Sequence, residues 1–207
     1  MYHLGYEKKI MRLLQALYNE TFSAARIDAE LSDWFRTVVG LLQGCVLSPL
    51  LFCIFLEVVM ARALESDDIG AIVSGTRINN LKFADDIGLL SESPADLQSL
   101  VNSTEEESKR FGLTVSTAKT EVQCIPPDDR PMLTSINGVP LKQTTDFVYL
   151  GGKISDSADS SADIERRIGL ATGVARSLAV LWKSKDIGIP TKIRLYNTFV
   201  LSVLLYD

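Results

Sequence analysis

Residues 81–90 read Leu-Lys-Phe-Ala-Asp-Asp-Ile-Gly-Leu-Leu, and this stretch constrains the fold more than any other. Leu81 and Phe83 alternate with Lys82 on one side, and Ile87 and Leu89 alternate with Gly88 on the other. A period of two is the signature of short half-buried strands. A two-residue turn between them puts Asp85 and Asp86 at the tip of a hairpin. Two adjacent carboxylates repel each other unless something positive lies between them, and hard divalent cations take oxygen ligands. The plain alternative is a polar turn of Asp-Asp with no chemistry at all. This pair alone does not decide between the two.

The remaining composition bounds the possibilities. The chain has 207 residues, 46% hydrophobic and 23% charged, enough for one domain or one and a half. Cys45, Cys53 and Cys124 are odd in number and form no CxxC pair, which predicts reduced, mostly buried thiols in an intracellular protein. With His3 as the one histidine, a zinc site is not expected. The first residues do not have the pattern of a signal peptide. The apolar run from Val46 to Ala63 contains Pro49 and Glu57, so it predicts a buried helix rather than a membrane span. Net charge is −5, which argues against a nucleic-acid partner, but its distribution is uneven. Between residues 166 and 194, Arg166, Arg167, Arg176, Lys183, Lys185, Lys192 and Arg194 face only Asp186. Such a stretch suits a phosphate backbone or, equally, the solvated side of a helix.

Along the chain, Ile10, Leu13, Leu14 and Leu17 form one stripe of a helix over residues 5–19. Phe22 to Asp28 and Trp34 to Val39 read as strands around an Ala-Glu-Leu-Ser turn. Ser48 is expected at a helix N-cap with Pro49 in the first turn. That helix runs to about Glu65, apolar nearly all round and buried against a sheet. A strand at Ile69–Val73 and a Ser74-Gly75 turn precede the Asp-Asp hairpin. Ser93-Pro-Ala-Asp96 is a capping box with Asp in place of Glu, opening a helix that Gly112 ends. Its outer face pairs Glu105 with Lys109 and Glu106 with Arg110. Strands are expected near Leu113–Val115 and Thr120–Ile125. A loop at Pro126–Asp129 follows, then short strands over 132–155 with turns at Asn137-Gly138 and Gly151-Gly152. Ile164, Ile168, Ala171, Ala175, Leu178 and Trp182 mark a helical seam, and Pro190 opens a last helix. Its apolar end, Phe199 to Tyr206, predicts that the chain is cut within a longer domain and tends to self-associate.

Four motifs stand in order. They are Gly40-Leu-Leu-Gln-Gly-Cys-Val-Leu-Ser-Pro-Leu-Leu-Phe52, Phe83-Ala-Asp-Asp86, Gly112-Leu-Thr-Val-Ser-Thr-Ala-Lys-Thr120 and Phe147-Val-Tyr-Leu-Gly-Gly152. In sequence and spacing they resemble the reverse transcriptases of non-LTR retrotransposons (long interspersed elements). The resemblance implies an α+β fold: a partial polymerase palm of antiparallel sheet backed by helices over 1–155, with primer-grip strands. The start of a helical thumb follows over 156–207. It also implies a third metal-binding Asp and a fingers region upstream of this chain. Leu42, Cys53 and Asp207 depart from the family, standing where a basic residue, Asn and Gly are usual.

What the resemblance implies for function is RNA-templated DNA synthesis, with RNA template, DNA primer and deoxynucleotides as partners. Asp85 and Asp86 would bind the magnesium ions of a two-metal site that is incomplete here. Lys119 would stabilise or protonate the leaving pyrophosphate. Gln43, Gly44, Ser48, Pro49, Phe83 and Ala84 would meet template and nucleotide, and Tyr149, Leu150 and Gly151 would grip the primer. The fragment is expected to be inactive alone. The alternative is a non-catalytic remnant that binds nucleic acid or protein through its basic C-terminal helices. A small metal-dependent hydrolase is a third reading, and it lacks a general base near the motifs.

Overall fold

The computed structural model describes residues 5–42, 44–64, 68–127 and 134–206. The chain divides into two compact units, Met1–Glu92 with Asn102–Leu113, and Ser93–Val101 with Thr114–Asp207. Helices and small sheets alternate, an α+β composition. Among the described residues the strands pair only two by two, so the continuous sheet expected of a palm is replaced by separate ladders.

In the first unit, α1 spans Lys8–Tyr18. Its stripe forms as expected, but none of its residues is buried, and Ile10, Leu13 and Leu17 lie exposed. The next segment corrects the sequence reading. β1 (Thr21–Ser23) pairs antiparallel with β4 (Phe35–Thr37), while β2 (Arg26–Ile27) and β3 (Glu30–Leu31) make a smaller hairpin between them. Glu30 and Leu31 are strand, not turn. The turn lies at Asp28–Ala29, with φ of +46° and +72°, the double positive φ that a type I′ hairpin needs.

Helix α2 covers Ser48–Ala63. The run is rich in Leu, Val and Ile, contains no glycine, and places Pro49 in the first turn, where the missing N–H is harmless. Only Leu56, Val59, Met60 and Ala63 of its apolar surface are buried, at spacing i, i+3, i+4, i+7. Burial is therefore one-sided, not all round, and Cys53 and Leu50 are exposed. Val59 and Met60 are almost fully covered, each stabilising by about 1.5–3 kcal/mol relative to exposure. Phe55 meets Phe111 edge to face at 5.8 Å, and the Arg62 guanidinium lies 5.3 Å from the Phe111 ring. β5 (Ala71–Val73) and β6 (Thr76–Ile78) form a hairpin around Ser74-Gly75, and β7 (Asn80–Phe83) and β8 (Asp86–Leu89) form the next.

Helix α3, Pro94–Arg110, follows the sequence closely. The Ser93 hydroxyl accepts from the Asp96 N–H at 3.1 Å and donates to the Asp96 carboxylate at 2.8 Å. The Glu105–Lys109 and Glu106–Arg110 pairs are present. At its end the Leu113 N–H donates to Ser108 O and the Gly112 N–H to Lys109 O. These are the two bonds of a Schellman cap, with Gly112 at φ +75°.

Residues 113–115 form no strand, and in the second unit only Glu121–Val122 of the expected 120–125 strand is one (β9). β9 runs parallel to β12 (Lys142–Gln143), while β10 (Ser135–Ile136) and β11 (Val139–Pro140) turn at Asn137-Gly138. Part of the 126–129 loop and the start of the 132–155 segment lie outside the described residues. β13 (Asp146–Tyr149) and β14 (Gly152–Ser155) pair with Tyr149 opposite Gly152, so their turn is Leu150-Gly151, one residue earlier than expected.

Helix α4 (Ser161–Ser177), α5 (Ala179–Lys183) and α6 (Ile189–Leu195) follow. A π-helical stretch, Tyr196–Leu201, then leads into α7 (Ser202–Leu204). Of the predicted seam only Ala171 is fully buried. Ile168, Ala171, Ala175 and Trp182 instead line an open groove of about 500 Å³ with Tyr196 and Val200. No described helix is long and apolar enough to cross a membrane.

Candidate active site

The β7–β8 hairpin carries the acidic pair, and its register decides where each carboxylate goes. Phe83 lies opposite Asp86 and Lys82 opposite Ile87. The turn is therefore Ala84-Asp85, and Asp86 is the first residue of β8 rather than part of the tip. Ala84 has φ +51°, a left-handed conformation that a residue with a Cβ adopts only under constraint. Side chains alternate across the ladder, so Lys82 and Ile87 share one face while Phe83 and Asp86 share the other. The Lys82 ammonium donates to the Glu57 carboxylate of α2 at 2.7 Å. That pair turns the Lys82 face toward α2 and leaves Phe83, 61% exposed, beside Asp86 on the outside.

Asp85 and Asp86 are both exposed. Hard oxygen donors on adjacent residues fit magnesium, which binds through one or two carboxylates and completes its shell with water and phosphate oxygens. No group of three or more His, Cys, Asp or Glu side chains converges among the described residues. Among the described residues, Asp85 and Asp86 are thus without a third such side chain beside them.

Gly44, Ser48 and Pro49 sit at the start of α2. Gly44 has φ +85°, which glycine adopts without steric strain. Gln43 lies outside the described residues. Ser48 corrects the sequence reading: the N-cap position is Leu47, and Ser48 is the first helical residue. Its hydroxyl donates to the Leu42 carbonyl at 2.6 Å and lies 3.1 Å from the Tyr18 hydroxyl. It is only 8% exposed. It braces the loop against α1 instead of capping the helix. The backbone N–H of Leu47, above all, pulls the Cys45 thiol below its ordinary pKa.

In the second unit, Lys119 is exposed in a turn whose Lys119 and Thr120 N–H groups both donate to Ser116 O. Tyr149, Leu150 and Gly151 occupy the end of β13 and its turn, with φ +49° at Leu150 and +89° at Gly151. The basic stretch is less free than the sequence implies. Arg166 donates to Gly151 O at 2.9 Å, Arg167 to Asp163 at 2.5 Å, and Lys192 to Trp182 O and Ser184 O at 2.7 Å each. Arg176, Lys183, Lys185 and Arg194 remain exposed. Glu57 is the one acidic residue of α2, a signal present in the sequence; the contact of Arg166 with Gly151 leaves no such signal.

The family model described as reverse transcriptase (RNA-dependent DNA polymerase) matches residues 3–154. The chain belongs to the reverse transcriptase family. A second model, a domain of unknown function, matches residues 176–206. The retrovirus-related Pol polyprotein of a type-1 R2 retrotransposable element from Nasonia vitripennis is 32% identical over 97 residues, 47% of this chain and 9% of its own length. That of a type-2 R2 element from Drosophila melanogaster is 28% identical over 159 residues, 71% of this chain and 15% of its own. A transposon-derived protein of Caenorhabditis elegans is 26% identical over 139 residues, 65% of this chain and 49% of its own. This reverse transcriptase chain is of the non-LTR retrotransposon type. It spans about half or less of the relatives it matches.

Proposed function

We propose that the chain is the palm and initial thumb of a polymerase that copies RNA into DNA, and that Asp85 and Asp86 are its metal-binding carboxylates. The observation that carries this reading is the β7–β8 hairpin. Within a segment that matches the family, it holds Asp85 in a tight turn and Asp86 on the exposed face beside Phe83. Domain bounds follow the sequence reading, palm over 1–155 and thumb over 156–207.

The reaction is in-line displacement of pyrophosphate from a deoxynucleotide by the primer 3′-hydroxyl. When bound, magnesium neutralises charge on the attacking and leaving oxygens. The chain's own residues do the rest. The Lys82–Glu57 pair fixes the hairpin so that Asp85 and Asp86 face outward. Lys119 supplies a proton or a positive charge to the departing pyrophosphate. Gly44 lets the backbone it shares with Gln43 approach the templating base pair, where a side chain at 44 would intrude, and Ser48 and Pro49 hold that loop at the head of α2. Phe83 and Ala84 border the nucleotide. Tyr149, Leu150 and Gly151 bear on the primer strand.

Two carboxylates hold a metal pair poorly, so residues 1–207 alone are inactive, and a longer polypeptide carrying them with a third carboxylate is active. Primer extension on an RNA template tests this. In the longer polypeptide, Asp85→Asn abolishes extension; extension that survives it refutes the assignment.

A further inference from the structure

The Leu150-Gly151 turn is held by more contacts than a hairpin of this length requires. Leu150 is 42% exposed and adopts φ +49°, a conformation that costs a residue with a Cβ about 1 kcal/mol. An exposed apolar side chain in a strained turn persists only where its surroundings over-determine it. Here they do so from two sides. From α4, the Arg166 guanidinium donates to Gly151 O at 2.9 Å. One turn earlier, Asp163 accepts the Lys153 N–H at 2.8 Å and is itself held by Arg167. From the chain's far end, the Tyr206 ring closes over Gly151, where a Cβ would stand 2.7 Å from ring carbon Cε1. The φ of +89° calls for glycine at 151, and its missing side chain leaves room for the ring.

We propose that Arg166 and Tyr206 are positioning residues that fix the Leu150-Gly151 tip where it meets the primer. This rests on the reading of Tyr149–Gly151 as the primer grip. It gives Arg166 a role other than phosphate binding: one N–H of its guanidinium is engaged by a backbone carbonyl of the hairpin. Neither residue touches the primer. Loosening either lets the tip wander, while the contacts that govern overall affinity remain.

The test uses residues 1–207 with a DNA primer annealed to an RNA template, the primer carrying a photoreactive thymine analogue near its 3′ end. Amide hydrogen exchange of residues 150–153 without nucleic acid reads the brace itself. Crosslinking to 149–151 reads its consequence, and titration reads total affinity. Arg166→Ala should speed the exchange about tenfold, the scale of one lost hydrogen bond to a charged group, and Tyr206→Ala, which removes a ring contact and no hydrogen bond, should speed it by a smaller factor. Each should cut crosslinking to 149–151 by about its own factor while changing affinity less than about twofold. Tyr206→Phe keeps the ring and should restore both readouts, and Arg166→Lys, which keeps a donor and the fold, should restore them in part. A merely structural role would not move the crosslink at constant affinity. Unchanged exchange in both alanine variants overturns the brace. Faster exchange with unchanged crosslinking overturns the positioning role. Absence of any crosslink to 149–151 in the unaltered chain overturns the primer-grip reading and this proposal with it, even where exchange responds as expected.

Discussion

Ser48 offers a sharp test because two roles for it make opposite demands. As an N-cap it would accept a hydrogen bond from a helical N–H, and Asp would serve there as well as Ser. In the structure it donates, at 2.6 Å to Leu42 O, from a site only 8% exposed. Ser48→Ala removes that bond and leaves the Tyr18 hydroxyl short of a partner, while the Leu42 carbonyl keeps the Cys45 N–H at 3.0 Å. A lost neutral hydrogen bond is worth about 1 kcal/mol and an orphaned group about 1–3 kcal/mol, reduced here because the loop is partly wet. The expected loss is about 1.5–2 kcal/mol. Ser48→Asp should do worse, about 3 kcal/mol, because it sets a carboxylate oxygen against a carbonyl oxygen without a donor between them. Ser48→Thr keeps the hydroxyl and should lose less than about 1 kcal/mol. Denaturant unfolding followed by far-UV circular dichroism measures all three, and a 2 kcal/mol loss corresponds to a Tm about 4–8 °C lower in a chain of this size. Stability of Ser48→Asp equal to or above that of the unaltered chain would refute the donor role and restore the cap.

Three further outcomes are expected. The Lys153 N–H, and beside it the Arg167 guanidinium, hold the Asp163 carboxyl below its ordinary value of 3.8. Its contribution to stability is therefore complete above that value and lost as pH falls through the lower folded one. The stability gap between the unaltered chain and Asp163→Asn should be flat from about pH 5 to 8 and close only in acid, and a gap that changes between pH 6 and 8 would contradict the pairing. All three cysteines are free thiols. With its pKa lowered by the Leu47 N–H, Cys45 should alkylate faster at neutral pH than the equally half-buried Cys124, and equal rates measured by mass spectrometry would count against that contact. For nucleic acid, Arg176, Lys183, Lys185 and Arg194 are the exposed cations of the 166–194 stretch, so replacing them with Ala should flatten the salt dependence by about 0.7 per lost contact on a single strand; replacing Arg167 instead should leave the slope unchanged.

Where local chemistry sets the geometry, the sequence was legible. Ser93 and Asp96 cap α3, Gly112 ends it, and Glu105 and Glu106 find their i,i+4 partners because spacing alone brings them together. Asn137-Gly138 and Ser74-Gly75 announce their turns by residue type. Asp28-Ala29 does not, since neither residue is the glycine that usually marks a double positive φ, and the nested hairpin went unseen for that reason. The Leu150-Gly151 turn was misplaced by one residue because two glycines follow Leu150, and only the register with Gly152 opposite Tyr149 selects between them. Ser48 has an N-cap's sequence context, but what it bonds is fixed by Leu42 and Tyr18, and pattern says nothing of Tyr18. The same limit applies to the site. Asp85, Asp86 and Phe83 stand out from alternation and charge, whereas Glu57 beneath the hairpin and Arg166 behind Gly151 act through contacts at 25 and 15 residues' separation.

The central claim is that the β7–β8 hairpin binds a divalent cation through Asp85 in its turn and Asp86 beside it. Manganese tests it directly, since it takes the oxygen ligands magnesium takes and broadens nearby nuclear magnetic resonance signals. On titrating manganese into isotope-labelled residues 1–207, the amide signals of Ala84, Asp85, Asp86 and Ile87 should broaden first. In the Asp85→Asn, Asp86→Asn double variant they should stay sharp at the same manganese concentration. Broadening that begins elsewhere in the chain, or that persists undiminished at the tip of the double variant, would contradict the account.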